Sequence, residues 1–582
     1  MRRTAFVFVA ALALVLGAST SSTATTTAGD ANVTHTSPVS PFSENKQNEP
    51  TVAIDANHTN IVVAGSNDEI DEEACNAGKD TICPFTPGVG VSGFYYSSDS
   101  GHTWTQPTYT GFSARGCQGV VGSTDPDCVG TVGGSIGTLP WYYENGLVSD
   151  GDPALAFGPV PGSNGAFSWA NGSRLYYANL TANFAATRSE EAFKGFEAIG
   201  VSRTDDAAGA AAGDKNAWKA PVLVSKQSST TFSDKEQVWA DNASSSPFFG
   251  NVYICWASFL GQELSPNAAP APLVVAVSSD GGDTWTQHPI SAAANNGQRN
   301  PMDGCTVRTD SQGNAYVFGV GTSSSGGHQA FEFMSVSSNG GHNWSAQTPV
   351  AGPVTQPGLF DPGLGRPTID GIGGARSDLA PAPSVDIANG APTGDGATNR
   401  IVMSYVSGEI THPHVYFTES ANQGATWSTP SAIESAGDRG YYTAPAISPN
   451  GTDVYVVYNA FTTPYRNNTT DARNLVGVFL HASVGVTGTG AFTEVHRGAN
   501  GDPRGTSQNG LTAEFLGDYV YAAATRTYGV AVWNDARNAA DCPAIDAWRM
   551  SLRGGPAAPR PAPQQDCAAN FGNSDIYGFT TA

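Results

Sequence analysis

One octet of residues returns four times along the chain and constrains the fold more than any other feature of the sequence. Each copy reads Ser-x-Asp/Asn-x-Gly-x-Thr/Asn-Trp, follows a short apolar run and leads into a second extended segment. The Asp or Asn side chain can accept backbone N–H bonds and the glycine permits a positive φ, so each octet predicts the turn of a β-hairpin whose base the tryptophan covers. The copies are 97–104, 278–285, 337–344 and 420–427.

Strand signals surround the octets and repeat with a long period. Two extended segments precede each octet, which gives about four strands per repeat. A degenerate octet with an Ala/Gly insertion spans 201–218 and ends in Trp218. The last two repeats lack an octet, and the final one is expected to carry strands near 515–520 and 528–537, followed by a late strand near 575–579. Helix signals are scarce, and the best of them is residues 189–196.

The octet resembles the Asp-box, or BNR repeat, of sialidases and related β-propeller proteins. This resemblance implies an all-β fold, a single-domain seven-bladed β-propeller with Asp-box hairpins, and six blades as the alternative. In that family the boxes join the two outer strands of a blade and lie on the face away from the active site. The most conspicuous motif is therefore structural, and the chemistry must be sought on the opposite face.

The chain divides into three parts. Residues 1–28 are predicted to be a signal peptide with a Ser/Thr-rich leader, because Arg2 and Arg3 precede an apolar run that is too short to anchor in a bilayer. Residues 29–44 are an N-terminal extension, and residues 45–582 are the sialidase-like propeller. The mature protein is expected to be secreted and extracellular.

The charge balance restricts the partners. The chain has 28 basic and 51 acidic residues, a net charge of −23, which becomes −25 once Arg2 and Arg3 are removed (26 − 51). Such a surface disfavours nucleic acid and anionic membranes, so the expected partner is an extracellular glycan or glycoconjugate, bound by a monomer.

Eight cysteines in an exported chain predict disulfides. Pairing of neighbours is the simplest arrangement: Cys75–Cys83, Cys117–Cys128, Cys255–Cys305 and Cys542–Cys567. Zinc binding is the competing interpretation, but the sequence has no CxxC.

Propeller topology selects candidate functional residues. The loops that enter the inner strands, and those that join second to third strands, reach the face opposite the boxes. The resemblance to sialidases implies three kinds of group there: arginines for a substrate carboxylate, a tyrosine nucleophile with an acidic partner, and an aspartate acid/base. The predicted catalytic residues are Tyr441 or Tyr442, Glu236 (with Glu514 as its alternative), and Asp150 or Asp152. The predicted substrate-binding residues are Arg299, Arg376, Arg439 and Arg537.

Other interpretations of these residues stay open. Aspartates before inner strands often cap backbone N–H groups, and Arg537 could tie the ring closure through Asp535. His412 and His414 could ligate a metal or act as a base, or could simply share one side of a strand. No metal ligand is assigned to the site and no cofactor is expected to be required. A structural Ca²⁺ is an alternative at the acidic run 68–73.

The function that the resemblance implies is secreted glycoside hydrolysis, as in exo-sialidases, with cleavage of terminal, acidic sugars from extracellular glycans. Two alternatives remain: a polysaccharide lyase acting on uronate-containing glycans, and a non-catalytic propeller that binds glycan or protein. The fold alone does not decide whether the protein is an enzyme.

Overall fold

Seven antiparallel β-sheets of three to five strands are arranged around one axis, so the predicted seven-bladed β-propeller is confirmed. The computed structural model describes residues 29–34, 46–72, 85–115, 129–185, 189–225, 228–260, 269–291, 303–322, 329–361, 366–369, 375–377, 379–507 and 510–582. The predicted signal peptide lies outside these residues. Within them, no helix is long and apolar enough to cross a membrane.

The first strand of the chain belongs to the last blade. β1 (Ala31–Asn32) pairs antiparallel with the C-terminal strand, so part of the predicted N-terminal extension closes the ring. The next blades follow in chain order, each built outward from its inner strand. Blade one contains β2 (Gln47–Ile54), β3 (Val62–Asp68) and β4 (Ser92–Ser97). A two-stranded ribbon, β5 (Tyr109–Ser113) and β6 (Thr131–Ile136), and the short β7 (Leu147–Ser149) precede blade two.

Blades two to four have four main strands each, and all neighbours within a blade are antiparallel. Blade two contains β8 (Ala154–Pro161), β9 (Phe167–Asn183), β10 (Ala198–Thr204) and β11 (Trp218–Leu223). Blade three contains β12 (Thr231–Ala240), β13 (Val252–Leu260), β14 (Ala269–Ser278) and β15 (Thr286–Pro289). Blade four contains β16 (Asp303–Thr309), β17 (Ala315–Thr322), β18 (Ala330–Ser337) and β19 (Thr348–Val354).

The second half of the ring follows the same pattern after a small hairpin, β20 (Leu359–Asp361) and β21 (Arg366–Thr368). Blade five contains β22 (Ser384–Ile387), β23 (Ile401–Glu409), β24 (His412–Ser420) and β25 (Ser431–Ala432). Blade six contains β26 (Arg439–Ile447), β27 (Asp453–Phe461), β28 (Leu475–Gly485), β29 (Gly488–Thr489) and β30 (Thr493–Arg497). Blade seven contains β31 (Tyr521–Ala524), β32 (Gly529–Asp535) and β33 (Asp575–Thr580), with β1 as its outer strand.

Helices are few, and the sequence located them poorly. The helix signal at 189–196 is wrong, since this segment forms turns and bends. Among the described residues the helices are α1 (Ala207–Ala211), α2 (Pro543–Leu552) and α3 (Pro563–Asp566), and three 3₁₀ turns lie at Tyr143–Asn145, Lys215–Ala217 and Pro503–Gly505. The longest of these helices, α2, buries Ile545 and Trp548 and is tied down by the Cys542–Cys567 disulfide.

The inner strand of blade seven begins later than the sequence predicts. Residues 521–524 form this strand, whereas 515–520 lead into it. Gly517 has a φ of 75°, which turns the chain toward the axis just before the strand. The residue after this turn, Asp518, consequently faces the centre of the ring and belongs to the site described below.

Two of the predicted disulfides are present. Cys255 on β13 is bonded to Cys305 on β16, so this bridge staples blade three to blade four. Cys542–Cys567 is the second. The predicted pairs 75–83 and 117–128 lie outside the described residues.

The repeated octets form the turns between the third and fourth strands. In blade three, Asp280 Oδ1 accepts a bond from the backbone N–H of Thr284 at 3.0 Å, and its Oδ2 accepts one from the Thr284 hydroxyl at 2.6 Å. The Ser278 hydroxyl accepts from Gly282 N at 2.8 Å, and Trp285 Nε1 donates to Gly282 O at 3.1 Å. The octets of blades four and five repeat the serine and tryptophan bonds.

Asp280→Ala is expected to reduce stability without reducing any activity. Loss of the bonds to the Thr284 backbone and hydroxyl should lower the free energy of unfolding by about 1–2 kcal/mol. Urea unfolding would measure this loss. Asp395→Ala is the control, because Asp395 is exposed in a loop on the same face. A change in turnover with unchanged stability would contradict a purely structural role.

Glu332 lies buried inside blade four without a compensating donor. Its relative exposure is 0%, and no hydrogen-bond donor among the described residues reaches either carboxylate oxygen. Burial therefore raises its pKa well above the ordinary value and favours the neutral form of the side chain in the folded protein.

Stability should consequently fall as the pH rises. A group with a raised folded-state pKa holds its proton more tightly when folded, so its stabilisation is complete below the unfolded pKa and is lost above it. Glu332→Gln should make the protein about 1–3 kcal/mol more stable than wild type at pH 8 and nearly equal to it at pH 4. Unfolding at both pH values tests this, with the exposed Glu409→Gln as control. Parallel pH profiles for wild type and Glu332→Gln would contradict it.

Candidate active site

The residues that enter four of the inner strands have left-handed backbone conformations. Glu49, Asp152, Lys235 and Tyr442 have φ values of 56°, 51°, 60° and 47°. The strand register shifts at these points in blades one, three and six, which marks a bulge. Non-glycine residues in this region cost about 1–3 kcal/mol each, and such strain concentrates at functional sites. Each bulge lies within an inner strand, two to four residues after its first residue, toward the face opposite the octets.

Blade two shows how such a corner is built. β7 and β8 both pair with the long β9, and residues 150–153 interrupt what would otherwise be one continuous inner strand. Gly151 has a φ of 92°, and Pro153 follows the strained Asp152. The interruption is anchored because Asp152 N donates to Asn67 Oδ1 at 2.7 Å. The corner presents Asp150 and Asp152 to the centre of the ring.

Two of these strained residues, Asp152 and Lys235, line an open pocket of about 430 Å³. Its lining carries five carboxylates, one lysine and one arginine. The charged residues of the lining are Glu69, Asp150, Asp152, Glu197, Asp234, Lys235 and Arg376. Phe85 and Phe515 supply apolar surface at the same pocket. A cavity of about 60 Å³, also lined by Lys235, lies against Glu236, Tyr442, Asp518 and Tyr519.

Lys235 is the electrostatic centre of the site. Its Nζ lies 2.8 Å from Asp152 Oδ2, 3.0 Å from Asp518 Oδ2, 3.6 Å from Asp234 Oδ1 and 3.9 Å from Glu49 Oε1. Burial would lower the pKa of Lys235, but these four carboxylates raise it well above its usual range. The ammonium is therefore held charged, and the site depends on it for neutralisation.

Arg376 neutralises the other side of this cluster. Its guanidinium lies 2.5 Å from Asp518 Oδ2 and 3.7 Å from Glu49 Oε1, and it stacks over Phe515 at 4.9 Å. The Tyr442 hydroxyl lies 3.0 Å from Asp518 Oδ1 and 2.8 Å from the carbonyl of Arg376. Asp518 is thus bound by groups from blades three and six and by Arg376.

The carboxylates of the pocket have pKa values that diverge. Burial raises the pKa of Asp150 to about 6, and the charge of Asp152 adds to this effect. Burial acts on Asp152 in the same direction, but Lys235 overcomes it and holds the pKa of Asp152 below its ordinary value. Burial also raises the pKa of Asp234 to about 7 and that of Glu197 well above its usual range. Near neutral pH the pocket therefore contains both protonated and ionised carboxyl groups.

The other predicted catalytic residues lie deeper. Glu236 is 2% exposed, no hydrogen bond from another described residue reaches its carboxylate, and burial raises its pKa well above normal. Tyr441 is fully buried and donates to Gly517 O at 3.1 Å. Glu514 forms a fully buried ion pair with Arg549 at 3.0 Å. Glu236 lines the smaller cavity, as Tyr442 does.

Arg376 is the only predicted binding arginine that lines the pocket within the described part of the chain. Arg439 donates from Nε to Thr463 O at 2.8 Å and stacks over Phe461. Arg537 joins the ring closure, with ion pairs of 2.7 Å to Asp535 and 2.5 Å to Asp30, the residue before β1. Arg299 lies outside the described residues. A cluster of arginines is thus not formed among the residues described.

The sequence assigned no catalytic or binding role to several residues of the site. Asp518 and Lys235 carry its ion pairs, and Glu49 and Glu197 add buried carboxylates. One signal could have revealed Glu49: Glu49-Pro50 and Asp152-Pro153 occupy equivalent corners of blades one and two. Glu197 has no such signal, since it precedes a third strand.

The acidic run 68–73, described to residue 72, is bonded within the protein. Asp68 accepts from the Tyr95 hydroxyl at 2.6 Å and from Gln106 Nε2 at 2.7 Å. Asp71 pairs with Arg115 at 2.7 Å, and Glu69 lies 3.2 Å from Lys46. Structural Ca²⁺ at this run stays a prediction.

Comparison with known proteins finds similarity only among solved structures. No protein-family model matches the sequence, and no curated protein matches it significantly. A structure titled "Hadza microbial sialidase Hz136" is similar at 12% identity over 74% of this chain and 66% of that one, with a TM-score of 0.39. A leech intramolecular trans-sialidase is similar at 11% identity over 73% and 67%, with a TM-score of 0.40.

A third similar structure is a polysaccharide lyase of family PL25, an ulvan lyase, at 10% identity over 84% of this chain and 92% of that one, with a TM-score of 0.38. The chain spans about two thirds of the length of the two sialidase structures. The seven-bladed architecture rests on the strand order of the chain itself.

Proposed function

We propose that the pocket hydrolyses a glycosidic bond, with Asp150 as the acid that protonates the leaving oxygen. The observation that supports this is the divergence between two carboxyl groups only two residues apart, since the pKa of Asp150 is raised to about 6 and that of Asp152 is lowered. Glycosidases use one protonated and one ionised carboxyl group at the scissile bond. Asp152, held charged by Lys235, would stabilise the positive charge that develops on the sugar ring.

Tyr442 is the proposed nucleophile in preference to Tyr441. Its hydroxyl lies 3.0 Å from Asp518 Oδ1, a carboxylate that can take the proton, whereas the Tyr441 hydroxyl donates to a backbone carbonyl. In this proposal Asp518, and not Glu236 as the sequence predicted, is the acidic partner that takes the proton of the tyrosine nucleophile. Tyr442 adjoins the smaller cavity, so substrate would reach it on the Lys235 side of the pocket.

The charge of the pocket favours an uncharged sugar over the acidic sugar that the sequence predicted. Both cations that line it are already ion-paired to aspartates. A carboxylated sugar would have to displace Asp518 from Arg376, and it would lie in the same pocket as Asp152, which Lys235 holds ionised. Binding of an acidic sugar, which would depend on Arg376, stays the alternative.

Export of the enzyme is part of the proposal. It is supported by the apolar N-terminal run of the sequence and by the two disulfides, which persist in oxidising compartments. The glycan would accordingly be extracellular.

A panel of glycans tests the function through its products. Release of free sugar from neutral glycosides is the expected result. Formation of an unsaturated uronate would instead identify a lyase, and binding without turnover would identify a non-catalytic propeller. Either of these outcomes would contradict the proposal. Release of sialic or uronic acid alone would show that the substrate is an acidic sugar, as the sequence predicted.

A further inference from the structure

Two histidines and a glutamate converge at the junction of blades five and six. His412 and His414 alternate along β24, so both project from the same side of the strand, and their ring centroids lie 4.5 Å apart. Glu434 lies on the connection from β25 to β26 and places Oε1 2.6 Å from His414 Nδ1. One ligand atom of each residue lies within 4.8 Å of those of the other two.

We infer that His412, His414 and Glu434 bind one transition-metal ion of the Zn²⁺, Co²⁺ or Ni²⁺ class. Two imidazole nitrogens and one carboxylate oxygen suit these ions, whereas Ca²⁺ and Mg²⁺ prefer sites made of oxygen alone. Three protein ligands leave at least one coordination position for water.

The three ligands differ in how firmly they are held. The Glu434 side chain is 9% exposed, and its Oε2 accepts a bond from the backbone N–H of Val415 at 3.0 Å, which fixes the carboxylate. His414 is 32% exposed and His412 is exposed, so an ion can enter from solvent. A fixed carboxylate with two accessible imidazoles is a partly preformed site.

The bound ion would join two blades. β24 belongs to blade five, whereas Glu434 lies five residues before the start of β26, the inner strand of blade six that carries Tyr441 and Tyr442. The ion would therefore fix the entry to this strand, and its expected effect is to stabilise the junction. This role is independent of the chemistry proposed for the pocket.

Titration of the full chain with Co²⁺ tests the site. One equivalent should produce visible d–d absorption bands without a thiolate charge-transfer band. His412→Ala should weaken the affinity at least about tenfold, and it should leave the blade intact because His412 is exposed. His481→Gln is the matched control, since His481 pairs with a single aspartate, Asp453, at 2.9 Å. It should bind Co²⁺ like the wild type.

A thermal readout keeps the test independent of spectroscopy. Zn²⁺ at about 100-fold excess over the wild-type Kd should raise the Tm of the wild type and of His481→Gln by about 2 °C or more, and should raise that of His412→Ala by about half as much or less. Glu434→Gln should behave like His412→Ala. Absence of Co²⁺ bands in the wild type, or equal affinity in the wild type and His412→Ala, would overturn the inference.

Discussion

Replacement of Lys235 by methionine is expected to lower the free energy of unfolding by about 3–5 kcal/mol at pH 7, because it leaves buried carboxylates without their cation. The ammonium lies within 3.0 Å of Asp152 and Asp518 and within 3.9 Å of Asp234 and Glu49. Methionine keeps the unbranched chain, and the left-handed backbone at this position strains both residues equally. The loss of unfolding free energy therefore measures the effect of removing the positive charge.

The loss should be smaller at pH 5, where the abandoned carboxyl groups can take up protons. Removal of Lys235 takes away the charge that lowers the pKa values of Asp152 and Asp234, so both values rise and the variant gains stability relative to the wild type as the pH falls through them. Lys219→Met is the control: its Nζ lies 3.7 Å from Asp205 and the side chain is 44% exposed. An exposed pair of this kind should contribute less than about 1 kcal/mol. Equal losses in both variants, or a Lys235→Met loss independent of pH, would contradict the account.

Asp150→Asn is expected to lower kcat/KM by a factor of about 10²–10⁴ on the glycoside from which the wild type releases sugar. The substitution removes the general acid without changing the size of the side chain. The pH profile should change with it. Wild-type activity should fall as the pH rises through about 6, where Asp150 loses its proton, and this alkaline limb should be absent from the variant.

Asp206→Asn is the matched control for this substitution. Asp206 lies on the octet face of the same blade and caps α1 by accepting from Gly209 N at 2.8 Å, a role that asparagine also performs. Its activity and stability should match the wild type. Full activity in Asp150→Asn, or a loss accompanied by unfolding, would remove Asp150 from the mechanism.

The sequence was sufficient to predict the propeller architecture because the same turn-forming octet repeats along the chain. Each octet specifies its turn through bonds within eight residues, as the contacts of Asp280 with Thr284 illustrate. The contribution of β1 to blade seven was harder to predict. Pairing of β1 with β33 joins residues more than 500 positions apart, and two residues of an unremarkable segment carry no local signal for it.

The site was predicted in part, for a related reason. Asp150 and Asp152 were found because topology places the start of an inner strand at the axis. Topology does not reveal which charged residue another charged residue pairs with. Arg537 pairs with Asp30 and Asp535 at the ring closure, whereas Arg376 pairs with Asp518 at the pocket. Which carboxylate an arginine meets depends on distances that only the folded chain defines.

The most direct test of the proposed mechanism compares leaving groups in Asp150→Asn. A general acid matters most when the departing oxygen is strongly basic, so the variant should lose about 10²-fold or more in kcat/KM on a methyl glycoside. On a dinitrophenyl glycoside of the same sugar, whose leaving group needs no proton, the loss should be under about tenfold. Equal losses on both substrates, or no hydrolysis of either by the wild type, would contradict Asp150 as the acid of a glycosidase.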